Sequence, residues 1–278
     1  MAVACDSRAE DGHHILWTIQ GKHNTVYLLG SMHLLRPADS ALPAEVLQDY
    51  ASAQKLVMEL DLSAEDPPKL LGPDPALADL PADETLPKVL GRKLYAQLKA
   101  HADRLGLDLK GVQHFQPWLV VLILDQLELA KLGFDADSGV DMQLLRRAQA
   151  DHKPVIGLET TDEQYGLFAH LSIKQQRQYL RSALQDEEDN PNETDELFQA
   201  WQRGDAAALE KLLQQGANEA PEIYRLLTVD RNRKWLPKIA QLLNDDTDYL
   251  VVVGALHLVG RFGLIDLLQS EGFSVIQQ

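Results

Sequence analysis

The chain has 278 residues, 45% of them hydrophobic and 24% charged, a composition typical of a globular protein with a sizeable core. Its net charge of -16 at pH 7 argues against nucleic acid or an anionic membrane surface as a partner, because both require basic patches. The single cysteine excludes an internal disulfide and a cysteine-based zinc site. No apolar run approaches the ~20 residues that cross a bilayer, so we expect no membrane span.

The N-terminal residues 1–12 are polar and predicted to be disordered, or to be the remnant of a signal peptide. Cys5 lies among small residues, as at the end of a bacterial secretory or lipoprotein signal, although the charged and apolar parts of such a signal are missing. We therefore expect a periplasmic or otherwise extracytoplasmic protein, with a lipid anchor at Cys5 if it is a lipoprotein. An ordinary disordered N-terminus is the alternative. Residues 13–278 are predicted to form a single domain.

Two segments at opposite ends of the chain share one arrangement, an apolar strand-like run followed by Gly-x-x-His-Leu. The first ends at Gly30 and leads to His33, and the second ends at Gly254 and leads to His257. Short, continuously apolar runs are typical of strands buried on both faces of a parallel sheet. Ligands of open α/β sheets bind at the carboxyl ends of such strands, so we expect the two histidines to share one cleft.

The remaining elements predict an α/β fold with a mixed central sheet flanked by helices. Its two halves each contribute one Gly-x-x-His strand to the cleft, with a largely helical segment between them. The predicted strands are 15–19, 25–30, 55–60, 152–159, 249–254 and 273–276. The predicted helices are 43–53, 86–105, 118–132, 142–150 and 260–270, together with a helical insertion over roughly 161–243. An acidic loop, 61–84, is predicted to be either a lid or an insertion.

Two carboxylates follow the same logic as the histidines. Glu59 interrupts an apolar strand, where an unpaired carboxylate is costly, and Glu159 ends another strand. Two histidines with one or two carboxylates suit a divalent ion of the Zn, Mn, Co or Fe kind. Without a metal, the same residues could supply a general base and its orienting acid. The alternative for Glu59 is a surface acid at a strand end.

Two further positions are candidates for the cleft. Asp141 stands at the start of a helix, where capping is the alternative interpretation. Arg231 lies in the polar run 230–235 and could clamp a carboxylate or an oxyanion, although a salt-bridged helix face would give the same pattern. Ser31 lacks a Gly-x-Ser-x-Gly elbow, and the chain has no glycine-rich phosphate loop or dinucleotide fingerprint.

At these residues the sequence resembles the TraB/GumN family, which includes bacterial pheromone-shutdown proteins and is similar to the Tiki metalloproteases of animals. The matching motifs run in family order from about residue 14 to the C-terminal region. They are Gly30-Ser31-Met32-His33, Met58-Glu59-Leu60-Asp61, Gly139-Val140-Asp141, Gly157-Leu158-Glu159-Thr160, Arg231-Asn232-Arg233-Lys234-Trp235 and Gly254-Ala255-Leu256-His257.

The resemblance implies an α/β fold shared distantly with erythromycin-esterase-like hydrolases, and in the Tiki branch a divalent-metal peptidase. Carried over, His33, Glu59 and His257 become the metal or catalytic residues, and Glu159, Asp141, Arg231 and Asn232 line the same site. The expected cofactor is a divalent metal ion, Mn, Co or Zn, and the expected partner is a peptide or protein substrate.

Three hypotheses follow. The first is a metal-dependent hydrolase, a metallopeptidase whose nucleophile is metal-activated water and whose base is Glu59 or Glu159. The second is a protein that binds and sequesters a peptide without cleaving it. The third is a metal-independent, esterase-like hydrolase with a histidine base.

Overall fold

The structure is a computed structural model that describes residues 13–64, 74–189 and 192–278, with the backbone alone described at 186–189. The predictions for residues 1–12, including Cys5, and for much of the acidic loop lie outside the described residues.

A six-stranded mixed sheet forms the centre of the fold, as the sequence predicts. In chain order its strands are β1 (Leu16–Gln20), β2 (Thr25–Ser31), β3 (Lys55–Leu60), β4 (Val155–Glu159), β5 (Tyr249–Gly254) and β6 (Val275–Gln277). Their order across the sheet is β4-β3-β5-β2-β1-β6. The four strands from β4 to β2 run parallel, whereas β1 runs antiparallel to both β2 and β6. The strands that carry the two histidines, β2 and β5, are therefore hydrogen-bonded neighbours.

Twelve α-helices are described. They are α1 (Ala44–Ser52), α2 (Pro75–Ala78), α3 (Leu86–Leu105), α4 (Pro117–Lys131), α5 (Val140–Ala150), α6 (Thr161–Ala169), α7 (Ile173–Asp189), α8 (Glu193–Gln202), α9 (Ala206–Glu219), α10 (Pro221–Tyr224), α11 (Asp230–Leu242) and α12 (Leu264–Ser270). A π-helical turn, Arg225–Val229, joins α10 to α11, and a 3₁₀ turn, Ala255–His257, follows β5. No helix in the described ranges is long and apolar enough to cross a membrane.

Helices cover both faces of the sheet because successive side chains of its central strands point to opposite sides. On β5, Val251 and Val253 pack in the same cluster as Trp235 of α11. Leu250 and Val252 pack in the opposite cluster, with side chains of α1 and α5. This two-sided burial explains why the central strands are apolar without interruption. Helices α3, α4 and α7 pack together around a separate apolar cluster.

The structure corrects several predicted boundaries. The last helix starts at Leu264 rather than at residue 260, because the chain turns at Gly260, where φ is +80°, before entering the helix at Gly263. The short helix α2 lies within the predicted acidic loop and begins at Pro75 after an Asp74 cap. The predicted helix over 86–105 is interrupted at Gly91, whose φ of 75° and ψ of 163° are not helical.

Candidate active site at the carboxyl ends of the parallel strands

The residues singled out in the sequence meet at the carboxyl ends of the four parallel strands. His33 follows β2, and Glu59 is the second-to-last residue of β3. Glu159 ends β4, and His257 follows β5. Asp141 reaches the same rim from the first turn of α5, and Arg231 and Asn232 reach it from α11. Parallel strands place their carboxyl ends at one edge, so residues nearly 200 positions apart, such as Glu59 and His257, become neighbours.

His33 is the exposed member of the site, with 55% of its side chain accessible. Its Nδ1 lies 2.9 Å from Oδ2 of Asp141, whose other carboxylate oxygen accepts a hydrogen bond from Ser31 Oγ at 2.9 Å. Gly139 makes this approach possible, since a Cβ there would lie 2.0 Å from the backbone oxygen of His33. Asp141 therefore orients His33 and does not cap its helix.

Glu59 is buried, with 7% of its surface exposed, and both carboxylate oxygens are bonded. Oε1 accepts from the backbone N–H of Gly254 at 2.8 Å, and Oε2 accepts from Arg231 Nη2 at 2.5 Å. Arg231 also donates to Glu159 Oε1, from Nη2 at 2.7 Å and from Nε at 3.1 Å. One buried guanidinium thus pairs with the carboxylates of two neighbouring strands, and Glu59 is not a surface acid.

His257 is buried and held on three sides. Its Nδ1 lies 2.7 Å from Oδ1 of Asn232, and its Nε2 accepts from Arg231 Nη1 at 3.0 Å. The ring centroid lies 4.6 Å from that of Trp235. Asn232 is oriented in turn, because its Nδ2 donates to the carbonyl oxygens of His257 and Phe262 at 3.0 and 2.7 Å.

The two histidines consequently differ in proton affinity. The Asp141 carboxylate raises the pKa of His33 to about 9, although partial desolvation of the ring acts in the opposite direction. Burial, assisted by the positive charge of Arg231, lowers the pKa of His257 to about 3 despite the nearby Glu59 carboxylate. Burial alone would raise the pKa of Glu59, but Arg231 and the two histidines together hold it well below its usual range.

Sequence reasoning missed three contributors to the site. Gln164 on α6 donates to Glu159 Oε1 at 3.1 Å, and the π-helical turn presents the carbonyl of Leu227 to Arg231 Nη1 at 3.2 Å. Trp235 stacks beneath the guanidinium, with Arg231 Cζ 4.5 Å from its ring centroid. The signal for Trp235 was its position four residues after Arg231 on one helix face. Nothing local marked Gln164.

The donor atoms fit a divalent ion in kind and orientation. In both imidazoles Nδ1 faces a side-chain oxygen, so Nδ1 carries the proton of the neutral ring and Nε2 is left with a lone pair, as in histidine ligands of metals. Both Nε2 atoms face Glu59 Oε1, at 4.0 Å from His33 and 3.9 Å from His257. Within the described ranges, no three His, Cys, Asp or Glu side chains lie close enough together to hold a metal ion as they stand. The lone pair of His257 Nε2 instead accepts a hydrogen bond from Arg231. An ion bound by all three donors would take that lone pair from Arg231.

Comparisons with known proteins show which sequences this chain is similar to. Over 264 residues the chain is 28% identical to the uncharacterized protein YbaP of Escherichia coli (strain K12), covering 93% of this chain and 94% of that protein. YbaP of Shigella flexneri matches equally. Metalloprotease TIKI2 of Xenopus tropicalis is 24% identical over 323 residues, covering 96% of this chain and 60% of that protein. The chain therefore spans less than two thirds of TIKI2. No solved structure matches.

The profile of the TraB/PrgY/gumN family matches residues 15–277, a range that includes every strand and every residue of the site. Since the match extends over nearly the whole chain, the protein belongs to the TraB/PrgY/gumN family.

Proposed function

We propose that this protein is a metal-dependent hydrolase, a metallopeptidase that cleaves a peptide or an exposed protein segment. The observation that carries the proposal is the orientation of the Nε2 atoms of His33 and His257 toward one oxygen of Glu59. The similarity to the Tiki metalloproteases supports the same reaction class. His33, Glu59 and His257 would hold the ion, and Mn, Co or Zn suits two imidazoles and one carboxylate.

A divalent ion held there would supply Lewis acidity toward a carbonyl oxygen and toward water. The residues of the chain supply the rest. Asp141 and Asn232 hold the two imidazoles in the tautomer that leaves Nε2 free to bind. Glu59 or Glu159 would act as the general base, and Arg231 holds both carboxylates in place by donating to each of them.

Arg231 has the charge and the position to stabilise a developing oxyanion or a substrate carboxylate. Its guanidinium faces His257 through Nη1 and both carboxylates through Nη2. A preorganised cation in a site with little water stabilises negative charge more strongly than it would in bulk water. Only the part of this interaction that strengthens in the transition state accelerates the reaction.

A second function is favoured by the His33–Asp141 pair. An imidazole oriented by a carboxylate is the arrangement of a general base, and it requires no metal. Because the pKa of His33 is about 9, such a base would be most active above neutral pH. Hydrolysis that is unaffected by a chelator and increases toward pH 9 would support this function.

Thermal unfolding of metal-stripped protein with Mn²⁺, Co²⁺, Zn²⁺ or chelator, beside His33→Ala and His257→Ala, tests the proposal. An ion that binds only the folded state at ~100 times its dissociation constant stabilises it by about 2.7 kcal/mol. We expect a stabilising metal in the wild type and none in either variant, followed by chelator-sensitive cleavage in a peptide screen. Intact recovery of bound peptide in the presence of that metal would instead indicate peptide sequestration.

Localisation is a separate proposal. We propose that the protein works outside the cytoplasm, on the basis of the sequence around Cys5. Fractionation of cells that express the full-length gene product tests this, and recovery in the cytoplasmic fraction alone would contradict it.

A further inference from the structure

Among the described residues, strand β4 stands at one end of the sheet and pairs only with β3. Four of its five residues are at least partly exposed, and Ile156 has 39% of its surface accessible, whereas Leu158 is buried. The strand ends at Glu159, which the guanidinium of Arg231 joins to Glu59. The edge of the sheet therefore leads directly into the candidate active site.

The hydrogen-bond pattern shows which backbone groups of β4 face outward. Leu56 pairs with Val155, and its N–H donates to the carbonyl of Pro154. In a parallel ladder the groups that face β3 then belong to Pro154, Ile156 and Leu158. The N–H and C=O groups of Val155 and Gly157 face away, and no described residue outside the sheet bonds to them. These outward N–H and C=O groups can pair with the backbone of a further strand.

A cavity of about 340 Å³ adjoins the carboxyl end of this edge. It is lined by Asp61 after β3, by the end of β4 and by Glu163 of α6, with Lys238 of α11 as its only cation among the described residues. Arg231 pairs with Glu159. The pKa of Glu163 is lowered mainly by the hydrogen bond from the backbone N–H of Thr160 and further by the charge of Lys238. Asp61 has no ion-pair partner among the described residues and accepts hydrogen bonds only from Ser63 there. The cavity is thus suited to a cation.

We propose that β4 is the docking edge for an extended segment of the substrate, which adds to the sheet as a further strand and places a lysine or arginine side chain beside Asp61. This inference rests on the proposed peptide specificity and names the kind of peptide. Backbone hydrogen bonds to Val155 and Gly157 supply affinity for any extended chain, and the acidic cavity supplies selectivity.

The position of the edge also sets a minimum substrate length. A strand added beside β4 lies three strand spacings from β5, or about 14 Å at ~4.8 Å per spacing. About four further residues, at ~3.3 Å each, must cross the ends of β4 and β3 before the chain reaches the histidines. Docking therefore occurs away from the cleaved bond, and peptides shorter than about eight residues should not benefit from it.

Amide hydrogen exchange of His33→Ala protein, with and without a library of randomised basic peptides of about ten residues, tests docking without requiring cleavage. In the free protein we expect fast exchange at Val155 and Gly157 and slow exchange at Ile156 and Leu158. Added peptide should slow the first pair at least ~tenfold and leave the second pair unchanged. Protection of Val155 and Gly157 in the free protein, by another part of the chain, would overturn the proposal, as would no change on adding peptide.

Kinetics separate this proposal from the proposed function. Val155→Pro removes an outward N–H without removing a bond to β3, so KM for a cleaved basic peptide should increase at least ~tenfold with kcat unchanged. Val275→Pro, at the first residue of the other edge strand, is the matched control and should change neither constant. Cleavage without amide protection would refute the docking edge alone. Protection without cleavage would refute the hydrolase alone.

The cation preference has its own test. Asp61→Asn should reduce the preference for lysine or arginine peptides over their glutamine analogues at least ~fivefold, because the unpaired carboxylate is lost. Asp266→Asn, an exposed carboxylate on α12, is the control. An unchanged preference in Asp61→Asn would show that the cavity does not select the cation.

Discussion

The two Gly-x-x-His segments are nearly alike in sequence and opposite in environment. His33 is exposed and paired with a carboxylate, whereas His257 is buried, stacked on Trp235 and bonded to neutral Asn232. Their conformations also differ, since β2 continues through Ser31 and is followed by a loop with a bend at His33, while β5 ends at Gly254 and the chain enters a 3₁₀ turn. The register is offset as well, because Ser31 and not Gly30 pairs with Gly254.

This contrast shows that a motif places a residue at the rim of a sheet, while its neighbours decide what the residue does there. The Asp141 carboxylate raises the pKa of His33, whereas burial beside the Arg231 guanidinium lowers the pKa of His257. The same side chain is therefore favoured as a cation at one strand end and as a neutral imidazole at the next. Four predictions test this comparison.

The largest effect is expected from removing the cation that both carboxylates share. Arg231→Ala would remove the guanidinium that pairs with both the Glu59 and the Glu159 carboxylate, and it should cost about 3–5 kcal/mol of unfolding free energy in urea. Arg146→Ala removes a surface pair with Asp137, whose side chain is 79% exposed, and should cost no more than about 1 kcal/mol. A loss below ~1 kcal/mol in Arg231→Ala would contradict the central role of the guanidinium.

The next largest losses of stability are expected from the two residues that orient the histidines, and the two losses should differ. Asn232→Ala would remove the hydrogen-bond partner of the buried His257 carbonyl, of the half-buried Phe262 carbonyl and of the His257 ring Nδ1, with an expected cost of about 1–3 kcal/mol. Asp141→Ala acts on an exposed ring and should destabilise the protein by less. Both should impair hydrolysis through misoriented imidazoles. Equal losses of stability in the two variants would remove the distinction between a buried and an exposed histidine.

The glycines of the two motifs should separate stability from function. A Cβ at Gly30 would lie 2.2 Å from Ile15 Cγ2, so Gly30→Ala should cost about 1–3 kcal/mol through overpacking. A Cβ at Gly254 would lie 3.3 Å from His33 Nε2 and 3.4 Å from Glu59 Oε1, a tight contact without a clash. Gly254→Ala should change the melting temperature little while impairing metal binding and turnover. A strongly destabilised Gly254→Ala protein would show that this glycine is structural.

The last prediction concerns the pH dependence of the unfolding free energy, measured on chelator-treated protein. The folded pKa of His33, about 9, exceeds its ordinary value of 6.5, so its contribution is fully present below 6.5 and is lost as pH increases through 9. The folded pKa of His257, about 3, is depressed, so its contribution is present above 6.5 and is lost as pH decreases toward 3.

Imidazole NMR titration measures both values directly, and Asp141→Asn should lower the pKa of His33 without changing that of His257. The comparison fails if both rings titrate near 6.5 in the wild type. It also fails if Asp141→Asn shifts both rings equally, because Asp141 would then act on the whole site and not on His33.

Much of the fold could be predicted from the sequence because its signals are local. Uninterrupted apolar runs such as the one before Gly254 indicate strands buried on both faces, and the alternation of strands and helices indicates a mostly parallel sheet. A helix end was predicted wrongly where a glycine with positive φ turns the chain, as at Gly260 before the last helix. A parallel sheet brings the strand ends to one rim, and this made His33, Glu59, Glu159 and His257 identifiable as candidates.

The chemistry of those candidates was decided only by the tertiary structure. No local signal in the sequence distinguishes His33 from His257, since each follows Gly-x-x and precedes leucine. A pKa depends on burial and on charges brought from α5 and α11, more than 100 residues from His33 along the chain. The sequence alone determined where the histidines lie, and long-range packing determined which one carries a proton.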